Sequence, residues 1–338
     1  MIFLTVIFFL SFFFLIYFDK ISKKINLYDY PDNIRKFQKV KVSTIGGFIF
    51  IIFFNLFIIL NYEKLTDFPN FPNLLILESY REIILFQFVI TAIYLIGLYD
   101  DKYNLRAFNK AISLIILISF FIFFEADSQI KQLKFSFLNE TIILKNFSII
   151  FTVICFFSLI ISLNMFDGIN GQSFINFLII SLYILTKGYF NEIICLLILL
   201  LLFFGYLNLK NKVYLGDNGI HFLGFLFSYL IVKTYNVDNS IYADEIIILL
   251  LIPIIDATRL FFVRIYKGLN PFNPDTTHIH HLLVKNYGLN NALIIISLLL
   301  IIPYFLMVIK LNYLVIIFLQ ISIYLLFVFF LKKDKKQK

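Results

Sequence analysis

About eleven stretches of this chain are apolar enough, over nearly the length needed, to cross a lipid bilayer as helices, and that repetition closes off most folds. They cover 2–18, 44–61, 82–99, 111–124, 147–163, 173–186, 192–208, 219–235, 244–262, 291–309 and 313–331. A run of this kind matches the hydrocarbon thickness of a membrane. Inside that layer no water is available to backbone N–H and C=O groups, so the runs are expected to be helices. Of the 338 residues, 61% are hydrophobic and 15% charged, too apolar a balance for one soluble core. The expected fold is therefore an all-α polytopic membrane protein: one transmembrane domain over 1–331, and a short basic tail over 332–338.

The cations set an orientation. Lys20, Lys23, Lys24, Arg35, Lys36, Lys39 and Lys41 precede the second run. Lys102, Arg106 and Lys110, then Lys210 and Lys212, then Arg264, Lys267 and Lys285 fall in alternate loops, and the tail adds five lysines. These are most of the 29 Lys and Arg residues. Basic loops stay in the cytoplasm, so an odd number of spans places the N-terminus outside and the C-terminus inside. The net charge of +8 is read as this topological bias and not as nucleic-acid binding. The first run lacks a basic leader and a small-residue cleavage site, and is expected to be a retained helix. Cys155 and Cys195 lie inside apolar runs and suggest neither a metal site nor a disulfide. The segment 125–146 alternates enough to predict a short hairpin on the outer side.

Acidic residues at the ends of the runs fall on the basic side. Asp100 and Asp101 stand in GLYDDK, Asp167 in NMFDGING, Asp217 in VYLGDNG and Asp275 in NPDTTHIHH. Carboxylates gathered at one surface call for a cation. Mg²⁺ binds through one or two carboxylates together with substrate phosphates, the arrangement phosphoryl transfer uses. Each feature also has a plain reading: Asp217 as a helix cap, Asp100–Asp101 as a solvated pair, the histidines as surface decoration, and Asp256 as a helical partner of Arg259 one turn away. Two other classes of function stay open. A transporter or flippase of a lipid-linked or anionic solute would want its charges near the membrane midplane, and a non-catalytic scaffold would tolerate loss of Asp217.

In order, GLYDDK, NMFDGING, VYLGDNG and GLNPFNPDTTHIHHLL resemble the signatures of the polyprenyl-phosphate N-acetylhexosamine-1-phosphate transferases, with RKFQKVKVSTIGG similar to that family's first cytoplasmic loop. The HxHH ending resembles the WecA-like branch. The resemblance implies about eleven spans in the inner (cytoplasmic) membrane with the active site facing the cytoplasm. It implies transfer of a sugar-1-phosphate from a UDP-N-acetylhexosamine to undecaprenyl or another polyprenyl phosphate, releasing UMP and starting a cell-envelope glycan. It implies dependence on Mg²⁺, with Mn²⁺ an alternative, and homodimers occur in the family. By the same resemblance Asp217 and Asp100 would hold the metal, and Asp100, Asp101, His278, His280 and His281 would be catalytic. Lys39, Asn164, Asp167, Gly168, Asn170, Asn208 and Tyr214 would bind substrate, Tyr214 by stacking on uracil. The chain departs from the family pattern at Gln38, Asn170 and Ile220, where relatives carry His, Asp and Ser. Those departures bear on the sugar accepted.

Overall fold

The structure, a computed structural model, describes residues 13–14, 17–31, 37–61, 80–189, 191–238, 240–270 and 275–333. Among them the chain runs through helical residues 17–25 and then ten helices. These are α1 (Gly46–Leu60), α2 (Tyr80–Tyr103), α3 (Ala107–Phe124), α4 (Ser148–Phe166) and α5 (Gln172–Thr186), followed by α6 (Asn191–Leu209), α7 (Gly216–Val237), α8 (Ala243–Tyr266), α9 (Ile279–Val308) and α10 (Tyr313–Lys333). Eight of the ten are long and apolar enough to cross a membrane, and α1 and α5 are shorter apolar helices. The fold is mostly helical, with the helix lengths and composition of a multi-pass membrane protein. Most of the expected first span lies outside the described residues, as do Arg35, Lys36 and the segment 271–274 of the histidine-rich motif.

The helix over 291–309 begins earlier than the apolar run suggests. It starts at Ile279 and breaks at Gly288, whose φ of 80° and ψ of 168° are not helical. The polar stretch HHLLVKNY ahead of the break has no membrane-like composition, and glycine supplies the left-handed backbone that separates it from the span. In the expected hairpin region, two short strands, β3 (Gln132–Leu133) and β4 (Ile142–Ile143), pair antiparallel. That hairpin is tied to the bundle where Tyr235 Oη accepts from Lys134 N–H at 2.7 Å and Asp244 accepts from Ser136 N–H at 3.1 Å.

Helix α7 is the centre of the bundle. Of its apolar window 89% is buried, against 28% for α9 and α10. A helix wrapped by protein need not be lipid-compatible on any face, which is how α7 carries Asn218, His221, Ser228, Lys233 and Thr234 buried along its length. The neighbours α1, α2 and α4 pack on it closely. Where α1 crosses, a side chain at Gly47 would run into the backbone of Gly219, so the crossing needs glycine on both sides. Aromatic rings fill the space around Phe86, whose centroid lies 5.8 Å from Phe54, 5.9 Å from Phe121, 5.7 Å from Phe225 and 4.4 Å from Tyr229.

Far from the acidic motifs, Lys233 Nζ and Glu82 Oε1 form a buried ion pair at 2.6 Å, and Tyr229 donates to the same oxygen at 3.1 Å. Removing one partner leaves a buried charge uncompensated, at a cost of about 3–5 kcal/mol. Glu82→Leu or Lys233→Met alone is expected to lower the thermal unfolding midpoint in detergent sharply, and the double variant to recover most of the loss. Additive losses in the double variant would show that the two charges do not depend on each other.

Candidate active site

The loops at one end of the bundle bring the separated motifs together. Helix α2 ends at Tyr103, and the chain reverses at Asn104, in the left-handed region with φ of 51°. Helix α3 then starts at Ala107, so its first turn returns Lys110 beside Asp100. Lys110 Nζ donates to Asp100 Oδ2 at 2.7 Å and to Asp217 Oδ2 at 3.1 Å. The other Asp217 oxygen accepts from Asn164 Nδ2 at 2.6 Å, and Asp100 Oδ1 accepts from Leu105 N–H at 2.7 Å. Two carboxylates from different helices thus converge on one cationic point. Asp100 is buried, whereas the side chain of Asp217 keeps 31% of its surface exposed and opens the point to a ligand.

Asp101 turns the other way. Its oxygens accept from Asp217 N–H at 2.9 Å and Asn218 N–H at 3.0 Å, and also from the Asn218 side-chain amide. These are the second and third residues of α7, so Asp101 caps the central helix from outside it. Asp217 therefore faces the site from the first turn and does not cap its own helix.

The nucleotide-motif residues line the neighbouring loops. Asp167 ends α4, is exposed, and accepts a hydrogen bond from Ser173 Oγ. Asn170 donates to Asn211 Oδ1 at 2.6 Å on the exposed rim. Asn208 has both ends of its amide engaged internally: Oδ1 accepts from Gly171 N–H at 2.7 Å and Nδ2 donates to Val213 C=O at 3.2 Å. It ties two loops together. Strands β1 (Tyr28–Asp29) and β2 (Val42–Ser43) pair antiparallel, and a bridge from Ser43 to Val213 joins them to the loop carrying Tyr214. Tyr214 Oη donates to Gln38 Oε1 at 3.2 Å, and Gln38 Nε2 donates to Asp29 at 2.6 Å. Burial pushes the Tyr214 phenol up to about 12, so it stays a donor at neutral pH. Lys39 follows on an exposed turn.

The histidines close the cluster. His278 Nδ1 lies 2.7 Å from Asp256 Oδ2. His278 and His280 stack with centroids 5.3 Å apart and 8° between planes, and the His281 ring lies 5.2 Å from Phe37 of the first loop. The His280 ring sits against Gly168 where any Cβ would be, so the NMFDGING glycine makes room for the histidine turn. Asp275 anchors that turn. Burial favours its protonated form, but Arg264 Nε at 2.9 Å and the hydroxyl and N–H of Thr277 hold its carboxyl at about 2.

Sequence reasoning placed Lys110 only among the basic loop residues, because nothing in its spacing says that a turn at Asn104 folds it back on Asp100. Both aspartates of GLYDDK read as catalytic in the sequence, with Asp100 alone also a metal ligand, and nothing there shows that Asp101, about 100° away around the helix, turns to the first N–H groups of α7. Among the described residues no three His, Cys, Asp or Glu side chains converge as a ready metal cage. The donor set at the shared point is two carboxylates.

Residues 83–235 match the glycosyl transferase family 4 profile. Over 303 residues the chain is 25% identical to the undecaprenyl-phosphate alpha-N-acetylglucosaminyl 1-phosphate transferase of Escherichia coli K12, covering 84% of this chain and 77% of that one. Over residues 83–235 the chain is similar to glycosyl transferase family 4. It is also 25% identical over 312 residues to the enzyme of the same name from Yersinia pestis, covering 87% and 80% of the two chains. The Haemophilus influenzae enzyme of that name is 34% identical over a shorter stretch of 77 residues. The matched family region contains the Asp100–Lys110–Asp217 cluster, Asn164 and Gly168.

The opposite orientations of Asp100 and Asp101 have a measurable consequence. Asp101→Ala, which uncaps α7, is expected to cost about 1–2 kcal/mol, seen as a lower unfolding midpoint in detergent. Asp100→Asn keeps an acceptor for Leu105 N–H and is expected to leave the midpoint near wild type. Equal losses would mean that the two carboxylates do the same work.

Proposed function

We propose that this protein transfers a sugar-1-phosphate from a UDP-N-acetylhexosamine to undecaprenyl phosphate, releasing UMP. The observation that carries the reading is the convergence of Asp100, Lys110 and Asp217 at one end of a bundle whose helices are built to lie in lipid. A lipid acceptor reaches that end from the membrane and a nucleotide sugar reaches it from water. A phosphate oxygen of the lipid attacks the sugar-side phosphorus of the UDP-sugar, and the bond from that phosphorus to the oxygen bridging to UMP breaks. The nucleophile is already largely ionised at neutral pH, so positioning and charge neutralisation are the main requirements.

The two carboxylates fit a hard cation of the kind bound through one or two carboxylates and substrate phosphates. Asp217 and Asp100 would hold Mg²⁺, with Mn²⁺ an alternative, and the ion would neutralise charge on the diphosphate. Lys110 stands at the point both carboxylates face, and its ammonium is placed to pair with phosphate oxygens. Asp167 and Tyr214, one exposed and the other half-buried on adjoining loops, are suited to hold the nucleotide, and His280 and His281 to hydrogen-bond the diphosphate. In this reading the site end faces the cytoplasm, because the loops there carry Lys20, Lys23, Lys39, Lys41, Lys102, Arg106, Lys110, Lys210 and Lys212. With the first apolar run added as a span, the N-terminus lies outside. The carrier alternative finds no support: Asp256, the acid nearest mid-helix, is engaged with His278 of the site end.

Purified protein given UDP-N-acetylglucosamine, undecaprenyl phosphate and Mg²⁺ is expected to release UMP, and EDTA to stop the release until Mg²⁺ is restored. Asp217→Asn is expected to lower the rate by about 100-fold or more while eluting like wild type in size-exclusion chromatography. No UMP from any of a panel of UDP-amino sugars would overturn the reaction. Full activity of Asp217→Asn would remove that carboxylate from it.

A further inference from the structure

Tyr324 lies in the middle of α10, the last helix, among residues such as Ile323, Leu325 and Leu326 that are 41–54% exposed on the outside of the bundle. Its own side chain is fully buried. The hydroxyl donates to Asp256 Oδ1 at 2.7 Å and accepts from Arg259 Nε at 2.6 Å. Arg259 Nη2 donates to Asp256 Oδ1 at 2.9 Å and to the Thr277 carbonyl at 2.9 Å. Asp256 in turn accepts from Ile279 N–H at 3.2 Å and faces His278 Nδ1 at 2.7 Å. Every residue joined to this hydroxyl, directly or through one side chain, belongs to α8 or to the turn that opens α9.

The geometry has a chemical consequence. A carboxylate facing Nδ1 selects the His278 form with a proton on that nitrogen and leaves Nε2 to face elsewhere. The plane of the Asp256 carboxylate therefore sets the plane of the His278 ring. His280 stacks parallel to that ring and is itself lodged against Gly168. A carboxylate without fixed donors can rotate, and three donors hold Oδ1 of this one. Two of them, Tyr324 and Arg259, also hold each other. Loss of the Tyr324 hydroxyl takes one donor from Asp256 and the acceptor from Arg259 Nε in a buried place, where unpaired polar atoms are costly.

We propose that Tyr324 is a positioning residue for the reaction: through Asp256 and Arg259, the last helix fixes the orientation of the His278–His280 turn. This rests on the transferase reading given above for its kinetic part, but not for its structural part. A helix whose neighbouring residues face lipid thereby reaches the site through one hydroxyl.

The test compares full-length wild type and Tyr324→Phe, which keeps the ring and removes only the oxygen. Two measurements are made: UMP-release kinetics, and hydrogen–deuterium exchange followed on peptides covering 275–283. Tyr324→Phe is expected to lower kcat by about 10- to 100-fold, as for loss of one buried hydrogen bond to a charged group, with KM for the UDP-sugar within about two-fold. Exchange is expected to quicken over 275–283 and stay unchanged within α10. Wild-type kcat together with unchanged exchange at 275–283 would overturn the proposal. So would faster exchange confined to α10 with a lower unfolding midpoint, which is what a residue serving only helix packing would give. If wild type itself releases no UMP while the variant still loosens 275–283, the positioning role stands and the assigned reaction falls.

Discussion

The first N–H groups of α7 have to find acceptors at the end of a helix surrounded by protein, and Asp101 provides them. A helix end buried without partners is rarely tolerated, and here the acceptor comes from the last turn of α2. That single carboxylate joins the two most closely packed helices at their site ends. It also determines what its neighbour does. With Asp101 directed into α7, Asp100 must point about 100° around the helix, towards Lys110 and Asp217. The catalytic-looking pair and the structural cap are one device, and the paired acids in the sequence are the record of both.

The second organising element is the set of contacts that lets distant loops share one space. Glycine at 47 and 219 brings α1 onto α7, and the 43–47 segment in turn carries backbone hydrogen bonds to Tyr214 and Leu215. The loop with Tyr214 is thereby locked to the loop with Gln38 and Lys39. Gly168 does the same for the histidine turn. Asn208 and Asn218, both buried at this end, are spent in holding these segments against one another.

Most of the helices were legible because a bilayer sets their length and their composition together. The exceptions have physical causes. The part of α9 before Gly288 is too polar to read as a span, and its Ile279, His280, Leu282 and Leu283 are buried against the rest of the protein. Gathering of the acids at one end followed from counting loops, since basic and acidic motifs alternate in step. Lys110 was not legible as a site residue, because its position depends on a left-handed turn at Asn104. The role of Asp256 was half legible: its pair with Arg259 follows from helical spacing, but His278 and Tyr324 are 22 and 68 residues away. A tyrosine inside an apolar run carries no sign of which way its hydroxyl points.

The ion pair between Lys233 and Glu82 bears on how the protein is made. Helix α7 is the least apolar of the candidate spans and carries a lysine near its far end, so it is a poor candidate to enter lipid alone. Glu82 belongs to α2, which precedes α7 in the chain and is synthesised first. The order of the helices along the chain means that the counter-charge is already in place when the lysine arrives. The helix that carries Asp217 is thus the one whose composition depends most on earlier spans for its place in the membrane.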